Sequence, residues 1–191
     1  MSTATARGFR ELRTGDGSDS FTPVDATHRV PIANHVTMSQ SVRRMSKSFR
    51  SNSVADTESI AREVAAMLRS EGDCMALHGD LGAGKTQFTR GLVTALGGEA
   101  REVSSPTFVL LNVYQTPRGS VFHLDAYRVA GPDEFASIGF DEFLTSGIVV
   151  VEWAERVAEL LPADHLSVTI SAIGRRSRRI EVSRATGNVA P

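Results

Sequence analysis

The stretch HGDLGAGKTQFTRGL, residues 78–92, sets Gly79, Gly82 and Gly84 beside Lys85 and Thr86. Gly79, Gly84, Lys85 and Thr86 satisfy the spacing glycine, four residues, Gly-Lys-Ser/Thr. A short apolar run, CMALH, precedes it, and FTRGLVTALGG follows with helical spacing. Such a strand–loop–helix junction suits one chemistry, the binding of phosphate. Glycines let successive backbone N–H groups curl around an anion, and the helix adds its unpaired N-terminal N–H groups. Lys85 would then reach the β- and γ-phosphates, and the Thr86 hydroxyl would ligate Mg²⁺. Of the 19 arginines and two lysines in the chain, Lys47 and Lys85, only Lys85 falls beyond residue 53. A lone lysine in an arginine-biased chain marks a position that needs a compact charge.

Hydrolysis also requires carboxylates near the phosphates. In open α/β sheets ligands sit at the C-terminal strand ends. Asp125 follows VFHL and Glu152 follows IVVV, so both are expected at the site. The residues alone suggest that Asp125 bonds Thr86 or a metal-bound water, while Glu152 meets Mg²⁺ through water or orients the attacking water. Thr107, in SSPTF, is a candidate sensor of the γ-phosphate. Trp153 and His123 read as core residues, and Arg128 as a partner for a carboxylate or phosphate. Arg175, Arg176, Arg178 and Arg179 read as a solvated hairpin tip, with RNA or protein contact as the alternative.

The elements that position these residues are legible. DTESIAREVAAMLRS predicts a helix capped by Asp56 or Thr57, with Ile60, Val64, Met67 and Leu68 inward and Gly72 ending it. The helix from Lys85 to Leu96 turns Phe88, Leu92 and Leu96 to one side and stops at Gly97-Gly98. Val109 to Tyr114 and SVFHLD predict a hairpin turning at TPRG. GPDEFASIGFDEFL predicts a helix and a further helical turn. Ile148 to Val151 lacks alternation, as in a strand buried on both faces. AERVAELL predicts a helix, and HLSVTISAI with RRIEVSRA a second hairpin. Helix–strand alternation followed by hairpins predicts a three-layer α/β domain with a mixed β-sheet.

The chain has 191 residues, enough for one domain of ordinary size, with 41% hydrophobic and 23% charged residues. The net charge of −1 gives no reason to expect whole-surface binding to nucleic acid. No apolar stretch reaches membrane-spanning length, and the N-terminus lacks the apolar core of a secretory signal. The single cysteine, Cys74, suits a buried thiol in a reducing compartment. A cytoplasmic protein with neither membrane nor DNA as partner is expected. Residues 1–53, rich in Ser, Thr and Arg, carry eight Lys/Arg against four Asp/Glu and no sustained hydrophobic period. They are expected to be a disordered extension, with domain residues 54–184 and a tail at 185–191. An RNA-touching arm, or a true start at Met38 or Met45, are the alternatives.

Taken together, GDLGAGKT (79–86), SPTF (105–108), HLDAYRV (123–129), GFDEFL (139–144) and VEWAERV (151–157) resemble the TsaE family, in the same order, over about residues 54–183. The resemblance implies a P-loop NTPase-like fold with a mixed sheet and a weak Mg²⁺-dependent ATPase. Its role would lie in forming threonylcarbamoyladenosine beside the anticodon of tRNA. The implied partners are TsaB and TsaD, with TsaD performing the transfer and tRNA met only through the complex. It further implies that Gly79, Asp80, Leu81, Gly82, Ala83, Gly84, Lys85 and Thr86 form the ATP-binding loop. Thr86 and Glu152 would hold Mg²⁺, and Asp125 would be the second acidic position. Lys85, Asp125 and Glu152 are thus the catalytic candidates. Thr107 would belong to a switch-like segment, Trp153 would contact the nucleotide side, and the region around Thr57 would lie near the adenine. Ala126 stands where the family has a leucine-like residue, and residues 1–50 have no counterpart.

Three rivals fit less well. A small-molecule kinase needs an arginine-bearing lid, and GRRSRR (174–179) is a tight strand link. A GTPase needs Asn-Lys-x-Asp, which neither lysine can supply. A nucleotide-binding module without hydrolysis leaves Asp125 and Glu152 unexplained. No glutamine or histidine is evidently placed to orient water, so slow unaided hydrolysis is expected.

Overall fold

The computed structural model describes residues 44–69 and 72–185. Seven strands form one mixed sheet: β1 (Arg44–Ser51), β2 (Cys74–His78), β3 (Leu111–Thr116), β4 (Gly119–Asp125), β5 (Gly147–Glu152), β6 (Leu166–Ala172) and β7 (Arg178–Ala185). Their order is β1-β7-β6-β2-β5-β4-β3. The four inner strands β6, β2, β5 and β4 run parallel, while β1, β7 and β3 pair antiparallel. Helices α1 (Val54–Ala65) and α2 (Lys85–Ala95) cover one face, and α3 (Pro132–Ser137) and α4 (Phe140–Ser146) cover the other. This is the three-layer α/β fold expected of the sequence.

Alternation along each inner strand divides the core in two. Met75, Leu77, Val121, Ile148 and Val150 pack under Val64, Phe88, Leu92 and Leu96. Cys74, Ala76, Leu124, Val149 and Val151 pack against Phe135 and Phe140. All six residues of β5 are buried, as its unbroken apolar run predicts. Burial pushes the Cys74 thiol up to about 12, which makes it inert.

Four local expectations need correction. The domain begins before residue 54, because Arg44–Ser51 pairs along its whole length with β7. The segment hid as an edge strand, where polar residues on both faces are tolerated; within residues 46–51 Phe49 and Ser51 turn inward. A start at Met45 would cut this strand, whereas the readings for residues 1–43 and 186–191 lie outside the described residues. The cap of α1 is Ser53, not Asp56 or Thr57. Its Oγ accepts the Asp56 N–H, and the Asp56 carboxylate accepts the Asn52 N–H in return. The helix ends at Ala65 with Ala61 and Val64 facing inward, while Ile60 and Met67 lie at the margin. Residues 154–160 form a kinked 3₁₀ segment rather than a regular helix.

Helices α1 and α2 meet at Gly91, where a Cβ would fall 2.7 Å from the Glu58 Cα. At the N-terminal ends of the parallel strands, Asp73 accepts two bonds from Arg184, at 2.7 and 2.9 Å. It also accepts the backbone N–H and the guanidinium of Arg69. Burial raises the Asp73 carboxyl, but the two arginines and the N–H outweigh it and hold it below its ordinary value of 3.8. A carboxyl depressed on folding contributes stability above its unfolded pKa and loses it as pH falls through the folded value. Asp73→Ala should therefore cost about 3–5 kcal/mol at neutral pH. Urea titrations should show the gap from wild type narrowing below about pH 4.

Removing residues up to Ser53 should lower the urea midpoint relative to the full chain. The shorter chain loses β1, the α1 cap and the buried 2.7 Å contact between the Ser51 and Thr57 hydroxyls.

Candidate functional site

Strand β2 delivers the chain to Gly79, whose φ of +140° suits only glycine, and a Cβ there would fall 2.4 Å from the Ile170 carbonyl oxygen. The backbone then turns through Gly82 and Gly84, both at positive φ, into α2. The loop, α2, the 104–107 segment and the end of β5 enclose a cavity of about 320 Å³. It is lined by Leu81, Gly82, Gly84, Lys85 and Thr86, by Gln87 and Arg90, by Ser105 and Thr107, and by Glu152 and Trp153. Among the candidates, Gly79, Asp80, Ala83 and Asp125 do not line it.

Lys85 is buried, and its ammonium donates to the Gly79 carbonyl at 2.7 Å and to the Asp80 carbonyl at 3.2 Å. It lies 4.0 Å from the centre of the Trp153 ring. Burial pulls this ammonium below the usual lysine range, against the opposing pull of Glu152 and Asp125. Trp153 thus belongs to the site. Its backbone is left-handed, with φ of 57°, and its N–H bonds the Leu77 carbonyl. A bulky residue seldom adopts that conformation, and here it carries the indole over the lysine.

The acids divide their work differently from the residue-based expectation. The Thr86 hydroxyl donates to Glu152 Oε1 at 2.8 Å. Asp125 instead accepts the Thr107 hydroxyl at 2.5 Å and the Tyr127 N–H at 2.7 Å. Strand order is the reason. Strand β2, which leads into the loop, pairs directly with β5, opposing Leu77 to Glu152. Strand β4 lies one place farther out, so Asp125 reaches the 104–107 segment. The two acids are themselves register partners, Asp125 opposite Glu152.

Two hard oxygen donors, the Thr86 hydroxyl and the Glu152 carboxylate, therefore meet at the cavity. Glu152 Oε1 takes two hydrogen bonds, and its other oxygen takes none among the described residues. This donor set fits Mg²⁺, which uses one or two protein oxygens and completes its shell with water and phosphate.

Other residues acquire roles the sequence reading did not give them. His123 is not merely a satisfied core histidine, since its Nε2 lies 2.9 Å from Glu152 Oε1. Arg178 is not a free hairpin tip. Its guanidinium bonds the Ala83 carbonyl at 2.9 Å and braces the loop from β7. Arg90 donates to the Ala100 and Val103 carbonyls, tying α2 to the segment ahead of Ser104. Arg128 lies over the Phe108 ring at 4.3 Å rather than on a carboxylate. For His123 a signal existed, because it stands two residues before Asp125 on the same strand face. For Arg90 and Arg178 the deciding partners are backbone carbonyls, which no side-chain pattern reveals.

Residues 51–180 match a family model described as threonylcarbamoyl adenosine biosynthesis protein TsaE. Similar proteins include the "tRNA threonylcarbamoyladenosine biosynthesis protein TsaE" of Rickettsia prowazekii, 34% identical over 70% of this chain and 92% of that protein. The protein of the same name from Bacillus subtilis is 38% identical over 73% of this chain and 86% of its own length. A crystal structure of Bacillus subtilis YdiB superposes with a TM-score of 0.59 at 31% identity, covering 75% of this chain and 88% of that one. Loop, paired acids and strand order thus coincide with a match over most of the described residues: the chain belongs to the TsaE family.

Proposed function

We propose that this chain is a Mg²⁺-dependent P-loop ATPase that supports formation of threonylcarbamoyladenosine next to the anticodon of tRNA. It works with the TsaB–TsaD transferase rather than as the transferase. The observation that carries this reading is the Thr86–Glu152 contact across the glycine loop. It sets a hydroxyl and a carboxylate where P-loop enzymes hold their metal. The family membership supplies the biological context, as the matching relatives bear the name of that biosynthesis.

In this reading the N–H groups of Gly82 to Thr86 bind the β-phosphate, and Lys85 donates to the β- and γ-oxygens. Bound between Thr86 and Glu152, Mg²⁺ would supply positive charge against the phosphates. Asp125 holds Thr107 at the cavity wall, where that hydroxyl senses the γ-phosphate. A second cavity, of about 440 Å³, lies between the residues ahead of α1 and the β6–β7 hairpin, lined by Asn52, Ser53, Val54, Arg175, Arg176 and Arg178. Because Arg178 also contacts the loop carbonyls, this cavity adjoins the phosphate site and suits the adenosine.

Hydrolysis by the chain alone is expected to be slow. Arg90 already spends donors on Gln87, Ala100 and Val103, and Asp125 is 2% exposed. Positioning and charge stabilisation supply nearly all of phosphoryl-transfer catalysis, so a shortfall here leaves room for a partner. Leu81 and Phe108, 84% and 83% exposed beside the cavity, are apolar contacts a protein partner could cover. The near-neutral chain would meet tRNA through that complex, in the cytoplasm, without membrane or DNA. Among the described residues no helix is long and apolar enough to cross a membrane.

Phosphate release should be measured with and without purified TsaB and TsaD. The pair should accelerate turnover, and Lys85→Ala should reduce it about 10²-fold or more in both conditions. Retained turnover in that variant would remove the loop from the chemistry. Glu152→Ala should impair Mg²⁺-dependent hydrolysis far more than ATP binding in EDTA. Equal loss of both, with altered circular dichroism, would instead indicate misfolding.

A further inference from the structure

His123 lies within β4 on the sheet face beneath α2, fully buried and two residues from Val121 in an apolar layer. An imidazole there costs free energy unless its nitrogens are bonded, and a valine or leucine would fill the space without that cost. Both nitrogens are engaged. Since a carboxylate oxygen accepts, Nε2–H donates to Glu152 Oε1 at 2.9 Å. Nδ1 lies 3.2 Å from the Tyr114 hydroxyl. That buried hydroxyl accepts the Ser104 N–H at 3.4 Å and lies 3.1 Å from the Ser104 carbonyl, its single proton serving either that carbonyl or Nδ1.

A hydrogen-bonded chain therefore runs beneath the cavity, from Ser104 through Tyr114 and His123 to Glu152 and Thr86. Its two ends are both walls of the phosphate site, because Ser104 adjoins Ser105, which lines the cavity opposite the loop. The arrangement is specific. Thr86 and His123 both bond Oε1, so the carboxylate cannot rotate without breaking two bonds, and its second oxygen is left for a cation. A partner of this kind fixes the orientation of a metal ligand, and its loss typically costs 10–100-fold in metal affinity.

We propose that His123 is a positioning residue for the metal-binding carboxylate of Glu152, and that Tyr114 transmits this restraint to the 104–107 segment. The proposal rests on the Mg²⁺–nucleotide reading above. It connects the switch-like segment to the metal-binding carboxylate, separately from that segment's Thr107–Asp125 contact. The ordering of one wall is thereby coupled to the aim of the carboxylate on the other.

The test is calorimetric, on the full chain with a non-hydrolysable ATP analogue, in EDTA and across a Mg²⁺ titration. His123→Phe keeps the ring volume and removes both bonds. It should bind the analogue in EDTA within about twofold of wild type, while its affinity for Mg²⁺ in the nucleotide complex falls 10–100-fold. Tyr114→Phe leaves the Nε2 bond but frees Nδ1, and should show a smaller loss, about 3–10-fold on the same scale. A purely structural histidine would lower the urea midpoint of His123→Phe and leave its Mg²⁺ dependence unchanged, which would overturn the proposal. Should His123→Phe not fold, Tyr114→Phe decides, since wild-type Mg²⁺ affinity in that variant also overturns it. If wild-type binding itself ignores Mg²⁺, the parent reading fails, and the proposal falls with it. If wild type responds and His123→Phe responds equally, only the role of His123 is lost.

Discussion

The site depends on one constraint, the parallel pairing of β5 between β2 and β4. That register sets Glu152 opposite Leu77 on one side and Asp125 on the other. A carboxylate this deeply buried would be costly by several kcal/mol if it stood alone. It is stabilised because the strand on one side launches the loop whose Thr86 hydroxyl bonds it, and the strand on the other side supplies His123. His123 and Glu152 are both delivered by strand register rather than by a flexible loop, which is how a side chain is held to within a fraction of an ångström.

The glycine loop and Trp153 show how backbone strain is used around that anchor. Gly79 is forced by the approach of β6, whose Ile170 carbonyl excludes any side chain. Trp153 has no such freedom, and its left-handed backbone costs on the order of 1–3 kcal/mol. Ring contact with Tyr127 at 4.9 Å and the lysine over its face at 4.0 Å offset that cost. The result is a lysine confined from above by an aromatic ring and from below by two carbonyls. Such confinement removes much of the conformational freedom that a long side chain would otherwise lose on meeting a phosphate.

Much of this was legible in the residues. The loop, the buried run of β5, both hairpins and the inward side of α2 follow from spacing and turn chemistry, and so does the placing of Asp125 and Glu152 at strand ends. Which acid bonds Thr86 did not follow, because it depends on strand order, and strand order is a long-range property. Strand β1 escaped for a different reason. An edge strand with solvent on most of its surface needs no apolar alternation, so RMSKSFRS resembles its polar surroundings. His123 was readable as a satisfied core histidine but not as bonded to a site carboxylate, since its partners Tyr114 and Glu152 are 9 and 29 residues away.

The use of cations in this chain also follows a pattern. Bracing between elements falls mostly to arginine. Arg90 spans the Ala100 and Val103 carbonyls, Arg178 reaches from β7 to the loop, and Arg184 meets both oxygens of Asp73. A planar fork bonds such pairs with little loss of freedom per bond, which suits it to bracing. Among the glycines of the loop, where a fork is too wide, the chain uses Lys85, the only lysine beyond Lys47. Arg90 and Arg178 brace the cavity from α2 and β7, Arg184 ties the opposite end of the sheet, and Lys85 lies in the cavity lining. A composition that looks like an arginine bias is, at this cavity, a division between arginines that brace it and the one lysine in its lining.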